Sequence, residues 1–275
     1  MRIDSHQHFW RYSARDYPWM DSSMGVLKRD FLPVDLEPVL RASGIGGCIA
    51  VQAQETLEET RWLLELADRH AWILGVVGWV DLCADDVEAQ LDSIAHPKLV
   101  GVRAVLQAKP DDLMALPRFR RGMTAALSRG LCYDVLIYAR QLRAAIDLCR
   151  AFPDQPLVLD HLGKPDVRGD GIASWAKDLH ELAALPNVVC KVSGLATEAH
   201  WQTWTEDGLR RYFDVATEAF GPGRMMFGSD WPVALCATGY SRWRELVDTW
   251  IAGWSPAEQA AIQGGVAARF YRLDG

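Results

Sequence analysis

The chain has 275 residues with 29 basic and 36 acidic side chains, a formal net charge of −7, and is 49% hydrophobic and 24% charged. That balance suits a folded globular chain and excludes disordered, collagen-like and disulfide-scaffold architectures. An acidic chain without a basic patch repels a phosphate backbone, so no nucleic-acid partner is expected. No apolar run approaches the roughly 18–20 residues of a membrane span, so no membrane partner is expected either. No basic segment followed by an apolar stretch opens the chain, which leads us to expect no signal peptide and a cytoplasmic location. The six cysteines form no C-x-x-C pair and read as small buried hydrophobes.

In chain order, an apolar strand at 2–5 runs straight into Ser5-His6-Gln7-His8. Residues 9–32, rich in Trp, Tyr, Asp and Met, are too polar for a core helix and read as a long first βα-loop over one mouth of the fold. Helix 33–42 and strand 47–51 follow, then helix 57–70 with Leu63, Leu64 and Ala67 on one face, and strand 73–80. A weaker helix at 85–95 precedes strand 99–105, helix 117–129, strand 132–137 and helix 140–152. Strand 157–159, helix 173–185, strand 188–192, helix 206–220 and strand 225–227 complete the alternation. Helices 241–251 and 256–271 are expected to close the outer ring. Gly44 and Gly130 supply left-handed helix ends.

Most strands are continuous apolar runs, which suits a parallel sheet buried on both faces. Eight of them alternating with helices predict a (β/α)8 TIM-type barrel, with 1–275 as a single domain. An open doubly wound sheet is the alternative, but its glycine-rich phosphate loop is missing after the first strand.

In such a barrel the chemistry sits at the C-terminal strand ends. Those ends present His6 and His8, Gln52 and Gln54, Trp79 and Asp81, and Arg103. They continue with Asp134 and Tyr138, then Asp160, His161 and Lys164, then Lys191 and Ser193, and finally Asp230. His6 and His8 lie two apart on a strand, so both imidazoles face one side and can bind a divalent metal or polarise a carbonyl. Asp230 is placed to take a proton from water or to ligate a metal. Arg103 needs an anionic or carbonyl partner, and an ion pair with Asp134 or Asp160 competes with a substrate role. The remaining motifs fail: there is no G-x-S-x-G elbow and no Walker loop. Trp10, Trp19, Trp79 and Trp231 fall near the expected mouth, where flat rings can pack against a sugar face.

Three segments, Arg2-Ile-Asp-Ser-His-Gln-His-Phe-Trp, Asp160-His-Leu-Gly-Lys-Pro and Phe227-Gly-Ser-Asp-Trp-Pro, resemble the sugar lactonases of the amidohydrolase superfamily. That family includes L-fuconolactonases and L-rhamnonolactonases, with a pyrone-dicarboxylate lactonase as a more distant relative. The resemblance spans the chain from Arg2 to about Tyr271. It implies hydrolysis of a small-molecule sugar lactone, with Asp230, His161, His6 and His8 catalytic and Arg103, Gln54, Lys164, Trp79 and Trp231 binding substrate. Asp230 would accept a proton from water while the imidazoles polarise the carbonyl. Arg103 stands where a binuclear site needs a bridging Lys or Glu, and the fifth strand has no histidine. A two-metal site is therefore not expected. The resemblance implies that no cofactor is required; the alternative is one divalent ion, zinc, on His6, His8 and Asp230. Competing readings are a dicarboxylated pyrone-type lactone hydrolase, a metal-dependent decarboxylase and a non-catalytic sugar-binding barrel. The oligomeric state stays open, a homo-oligomer included.

Overall fold

Short runs dominated by Val, Ile and Leu form eight strands: β1 (Ile3–Gln7), β2 (Gly47–Val51), β3 (Ile73–Gly78), β4 (Leu99–Val105), β5 (Cys132–Leu136), β6 (Leu157–Leu159), β7 (Val188–Val192) and β8 (Met225–Phe227). In this computed structural model, which describes residues 1–169 and 171–273, they pair in parallel in the order β1 to β8. Gln7 bridges Trp231 across the remaining seam, where the His8 N–H donates to the Trp231 carbonyl at 2.7 Å. The architecture is a (β/α)8 barrel, as the alternation predicts.

Each strand turns one set of side chains inward and the other toward a helix. Ile3, Ile49, Val51, Val77, Val158, Val189 and Met226 form an inner core. A larger outer core lies between the sheet and α1 (Pro33–Ala42), α2 (Leu57–Arg69), α3 (Val87–Ser93), α4 (Pro117–Ser128), α5 (Leu142–Arg150), α6 (Ile172–Ala183), α7 (Glu206–Phe220) and α8 (Tyr240–Trp250). Thr56 caps α2 by accepting from the Glu59 N–H, and Thr205 caps α7 by accepting from the Gly208 N–H, each at 3.1 Å. Among the described residues, no helix is long and apolar enough to cross a membrane.

One expectation needs correction. The stretch 256–271 is not one outer helix. It divides into α9 (Pro256–Ala260), a π-helical turn (Ala261–Gly265) and α10 (Val266–Phe270). Val266, Ala267 and Tyr271 join the inner core, so this segment plugs the barrel instead of lengthening its outer ring. Gly264 allows it, because a Cβ there would stand 2.5 Å from the Met1 carbonyl oxygen. The first loop is polar in composition yet firmly anchored. Phe9, Trp10, Leu27 and Phe31 are fully buried, and Trp10 and Phe31 exchange backbone hydrogen bonds at 2.9 Å.

Helix α4 approaches the chain after β3 so closely that a Cβ on Gly122 would lie 2.1 Å from the Leu82 carbonyl oxygen. Because backbone is the obstacle, Gly122→Ala is expected to destabilise the fold by about 1–3 kcal/mol, the usual range for an overpacked interior. A lowered urea midpoint would show it, and an unchanged midpoint would refute it.

Candidate active site

Strand β1 carries His6 as its fourth residue and His8 just beyond its end. Its register against β2 shifts between Asp4 and Gln7, an irregularity of the kind that re-aims side chains. The two Nε2 atoms come to 3.2 Å from each other. His8 Nδ1 lies 2.8 Å from the Val51 carbonyl. A carbonyl only accepts, so in the neutral ring the proton sits on Nδ1 and Nε2 carries a lone pair.

His161 and Asp230 arrive on unusual backbone. His161, Leu162 and Lys164 have φ of 53°, 55° and 47°, and Asp230 has 56°. Left-handed conformations cost roughly 1–2 kcal/mol per non-glycine residue. The surroundings hold them there: the Leu162 carbonyl accepts from Trp175 Nε1 at 2.9 Å, and the Lys164 N–H returns to the His161 carbonyl at 2.8 Å. The Asp230 N–H is held by the His6 carbonyl at 2.8 Å. Gly194, at φ +63°, leaves room for both side chains, since a Cβ would stand 2.7 Å from His161 Nδ1 and 3.2 Å from Asp230 Oδ2.

Beneath these groups lies a buried ionic layer. Arg103 pairs with Asp160 at 3.0 Å and reaches His6 Nε2 at 3.3 Å. Lys191, fully buried, contacts Asp134, Asp160 and His6 Nδ1. Burial alone would raise the Asp160 carboxyl, but Lys191, His6 and Arg103 more than offset this and hold it well below the usual range. Burial outweighs the nearby Asp160 charge at His6 and holds the imidazole neutral. Asp230 sits 3.4 Å from His8 Nε2; burial raises its carboxyl, yet the imidazoles of His161, His8 and His6 prevail and keep it below its ordinary value.

The donor set fits a single divalent cation. His6 Nε2, His8 Nε2 and Asp230 Oδ1 are separated by 3.2, 3.4 and 3.9 Å. A tetrahedral zinc with Zn–N bonds of 2.0–2.1 Å spaces its ligands by roughly 3.3 Å. The buried Asp160 Oδ1 accepts no aligned hydrogen bond and lies 3.3 Å from His6 Nδ1. A proton on His6 Nδ1 would satisfy it and turn the Nε2 lone pair toward that of His8. Atoms of His6, His161 and Asp230 also lie within 4.8 Å of one another.

These groups form the floor of a cavity of about 1720 Å³ lined by His8, His161, Asp230, Arg103, Gln54 and Lys164. His6 is fully buried behind His8 and His161, with ring centroids at 4.9 and 4.4 Å. Two expected substrate contacts, Trp79 and Trp231, do not line it. The Trp79 N–H is bound by Thr60 Oγ1 of α2 at 2.9 Å, which draws the chain toward the helix layer. Trp231 packs its ring on Phe9 and Phe31. Trp10, Trp19 and Trp201 line the cavity instead. Trp201 escaped the sequence reading because it lies in the β7–α7 loop, eight residues past Ser193, where nothing local marks it. Ser193, expected with Lys191 at the end of the seventh strand, is 2.9 Å from His161 Nδ1.

Burial lowers the His161 imidazole from 6.5 to about 4, against the pull of Asp230 and Asp160. Its folded value lies below the unfolded one, so on acidification the unfolded chain takes up the proton first. Stability is therefore lost as pH falls from about 6.5 to about 4, by at most about 1.4 kcal/mol per pH unit. In metal-free protein, wild type should lose stability between pH 7 and pH 5 relative to His161→Asn in urea unfolding. Parallel behaviour of the two would refute the assignment.

The chain matches the family model described as Amidohydrolase over residues 3–273. It is 45% identical over 285 residues to the L-fucono-1,5-lactonase of Burkholderia multivorans, covering 99% of this chain and 96% of that protein. It is 37% identical over 289 residues to the L-fucono-1,5-lactonase of Burkholderia ambifaria, again covering 99% and 96%. Among solved structures, an amidohydrolase from Burkholderia multivorans with bound zinc superimposes with a TM-score of 0.97 at 45% identity, with 100% of each chain covered. The barrel, the imidazole pair on β1 and the carboxylate beyond β8 thus accompany a full-length family match, and the chain belongs to the amidohydrolase family.

Proposed function

We propose that this protein hydrolyses a small neutral sugar lactone, L-fucono-1,5-lactone or a close deoxy-sugar analogue, to the aldonate. The observation that carries the reading is an ionised Asp230 beside His161 on the floor of one cavity. The two full-length lactonase relatives support the substrate class.

A lactone is an activated ester, so water can open it once a base and an electrophile are in place. Asp230 accepts a proton as the water oxygen bonds to the carbonyl carbon. If the Ser193 hydroxyl donates to His161 Nδ1, the neutral ring presents Nε2–H to the cavity and hydrogen-bonds the developing oxyanion. Arg103 adds positive charge behind it. His8 Nε2, a lone-pair acceptor, orients the water and does not polarise the carbonyl. Collapse of the tetrahedral intermediate breaks the bond to the ring oxygen, which recovers the proton from Asp230. A divalent ion held by His6, His8 and Asp230 would supply Lewis acidity and lower the pKa of water.

The cavity's charges favour a neutral substrate. Asp16, Asp21, Glu55, Asp166, Glu198 and Asp230 line it, against Arg103, Arg140, Lys164 and Arg168. Arg103 is engaged by Asp160, and Lys164 by Glu198 at 3.3 Å, so a dicarboxylated lactone finds few uncommitted cations. Gln54 and Lys164 are placed to read hydroxyls, and Trp19 and Trp201 to cover an apolar sugar face.

Asp230→Asn should preserve the fold and reduce turnover by on the order of 10²–10⁴. Base-release titration on neutral aldonolactones and dicarboxylated lactones side by side checks both claims. Near-normal activity of the variant removes Asp230 from the base role, and preference for dicarboxylates overturns the sugar assignment. Metal analysis should find no more than one divalent ion per chain, because β4 presents the cationic Arg103 and the β5 carboxylate Asp134 is already engaged by Lys191 and Tyr271. Two ions retained through dialysis would contradict this.

A further inference from the structure

Strands β8 and β1 share no regular ladder among the described residues; the chain just beyond β8 meets β1 through the Gln7–Trp231 bridge and two backbone bonds, His8 N–H to the Trp231 carbonyl and Asp230 N–H to the His6 carbonyl. Yet this seam carries the site, with His6 and His8 on one side and Asp230 on the other. The backbones are in close contact, since a Cβ on Gly228 would stand 2.8 Å from that of His6. Two backbone bonds stand here in place of a full ladder, which leaves part of the positioning to side chains.

The side chain of Asp4 spans the gap. Its Oδ1 accepts from the His6 N–H at 3.1 Å and from the Ser229 N–H at 2.8 Å, the residue directly before Asp230. Its Oδ2 accepts from the Tyr240 hydroxyl of α8 at 3.0 Å. Asp4 is fully buried, so none of these bonds exchanges readily with water. Neighbouring bonds point the same way: Ser5 Oγ donates to the Phe227 carbonyl at 2.7 Å, and Trp243 Nε1 of α8 donates to the Gly228 carbonyl at 2.9 Å.

We propose that Asp4, anchored by Tyr240, is a positioning residue that sets the Asp230 carboxylate against the His6–His8 pair. One carboxylate oxygen accepts from N–H groups on both sides of the seam at once, and so adds to the Asp230 N–H bond with the His6 carbonyl in setting the spacing of the two halves of the site. Asp4 does not line the cavity and touches no substrate. Its loss should therefore lower kcat and leave KM nearly unchanged, because Gln54, Lys164 and Trp19 stand on other loops.

The kinetic arm rests on the lactonase reading above; a crystallographic arm does not. Asp4→Ala is expected to lower kcat on L-fucono-1,5-lactone about 10- to 100-fold, the scale of a misplaced reacting group, with KM within about twofold. Asp4→Asn keeps an oxygen for both N–H groups and should recover to within a few-fold of wild type. Tyr240→Phe, which retains the ring, should cost a few-fold in kcat. Crystal structures of Asp4→Ala, or of Tyr240→Phe if the former does not fold, should show Asp230 farther from His8 than 3.4 Å. Equal activity of the Ala and Asn variants, a rise in KM alone, wild-type kcat in Tyr240→Phe, or an unmoved Asp230 would each overturn the proposal. If wild type opens no lactone, the Asp230–His8 distance still decides the role of Asp4.

Discussion

The ion pairs buried at the barrel's centre govern what the site above them can do. Lys191 is fully buried, and a lone ammonium there would be far too costly to retain. It is held by Asp134 and Asp160, with Asp134 also accepting from the Tyr271 hydroxyl at 2.8 Å and Asp160 also paired with Arg103. Removing one partner would leave an uncompensated charge, so the four groups stand or fall together. Because Tyr271 follows α10, the C-terminal segment that plugs the barrel completes this layer as well. His6 rests directly on it, with Nδ1 facing Lys191 and Asp160 and Nε2 facing Arg103 and His8.

Above that layer, precision comes from backbone forced into sparsely populated conformations. His161 and Asp230 are held left-handed by neighbours that leave no alternative, and Gly194 provides the clearance between them. Strain of this sort collects where surrounding structure over-determines a residue's position. Here it places two side chains from different loops over the same imidazole pair. The outer parts of the fold follow ordinary rules of capping and apolar burial, and the contrast marks where ease of folding and placement of the chemistry diverge.

Much of this was legible in the sequence for a physical reason. Strands buried on both faces must be continuously apolar, so β2, β4, β6, β7 and β8 coincide with the apolar runs residue for residue. Spacing two apart on a strand dictates a shared side, and His6 and His8 meet accordingly. The ion pair of Arg103 with Asp160 was one of two partners its burial demanded. What the sequence could not convey was direction once a strand has ended. Trp79 and Trp231 stand at the right level, but one is drawn outward by Thr60 and the other packs on Phe9 and Phe31. The 256–271 stretch has helical periodicity, and although the Gly264-Gly265 pair offers a break, nothing local reveals that the chain turns there into the barrel. Each miss is a tertiary contact overriding a local pattern.

Net charge at the floor of the cavity connects these layers to the chemistry. At neutral pH the charges of Arg103 and Lys191 balance those of Asp134 and Asp160, and burial keeps His6 and His161 neutral. Asp230 is then the one unbalanced charge among these groups. A single negative charge beside two facing imidazole nitrogens attracts a cation or orders a water for proton transfer. It also disfavours a carboxylate at the same spot, in a low-dielectric setting where screening is weak. A neutral lactone enters without that repulsion, while ring opening creates a carboxylate next to Asp230. In the proposed reaction the charge that would activate water would also help to expel the product, and this asymmetry is a further reason to prefer a neutral lactone over a dianionic one.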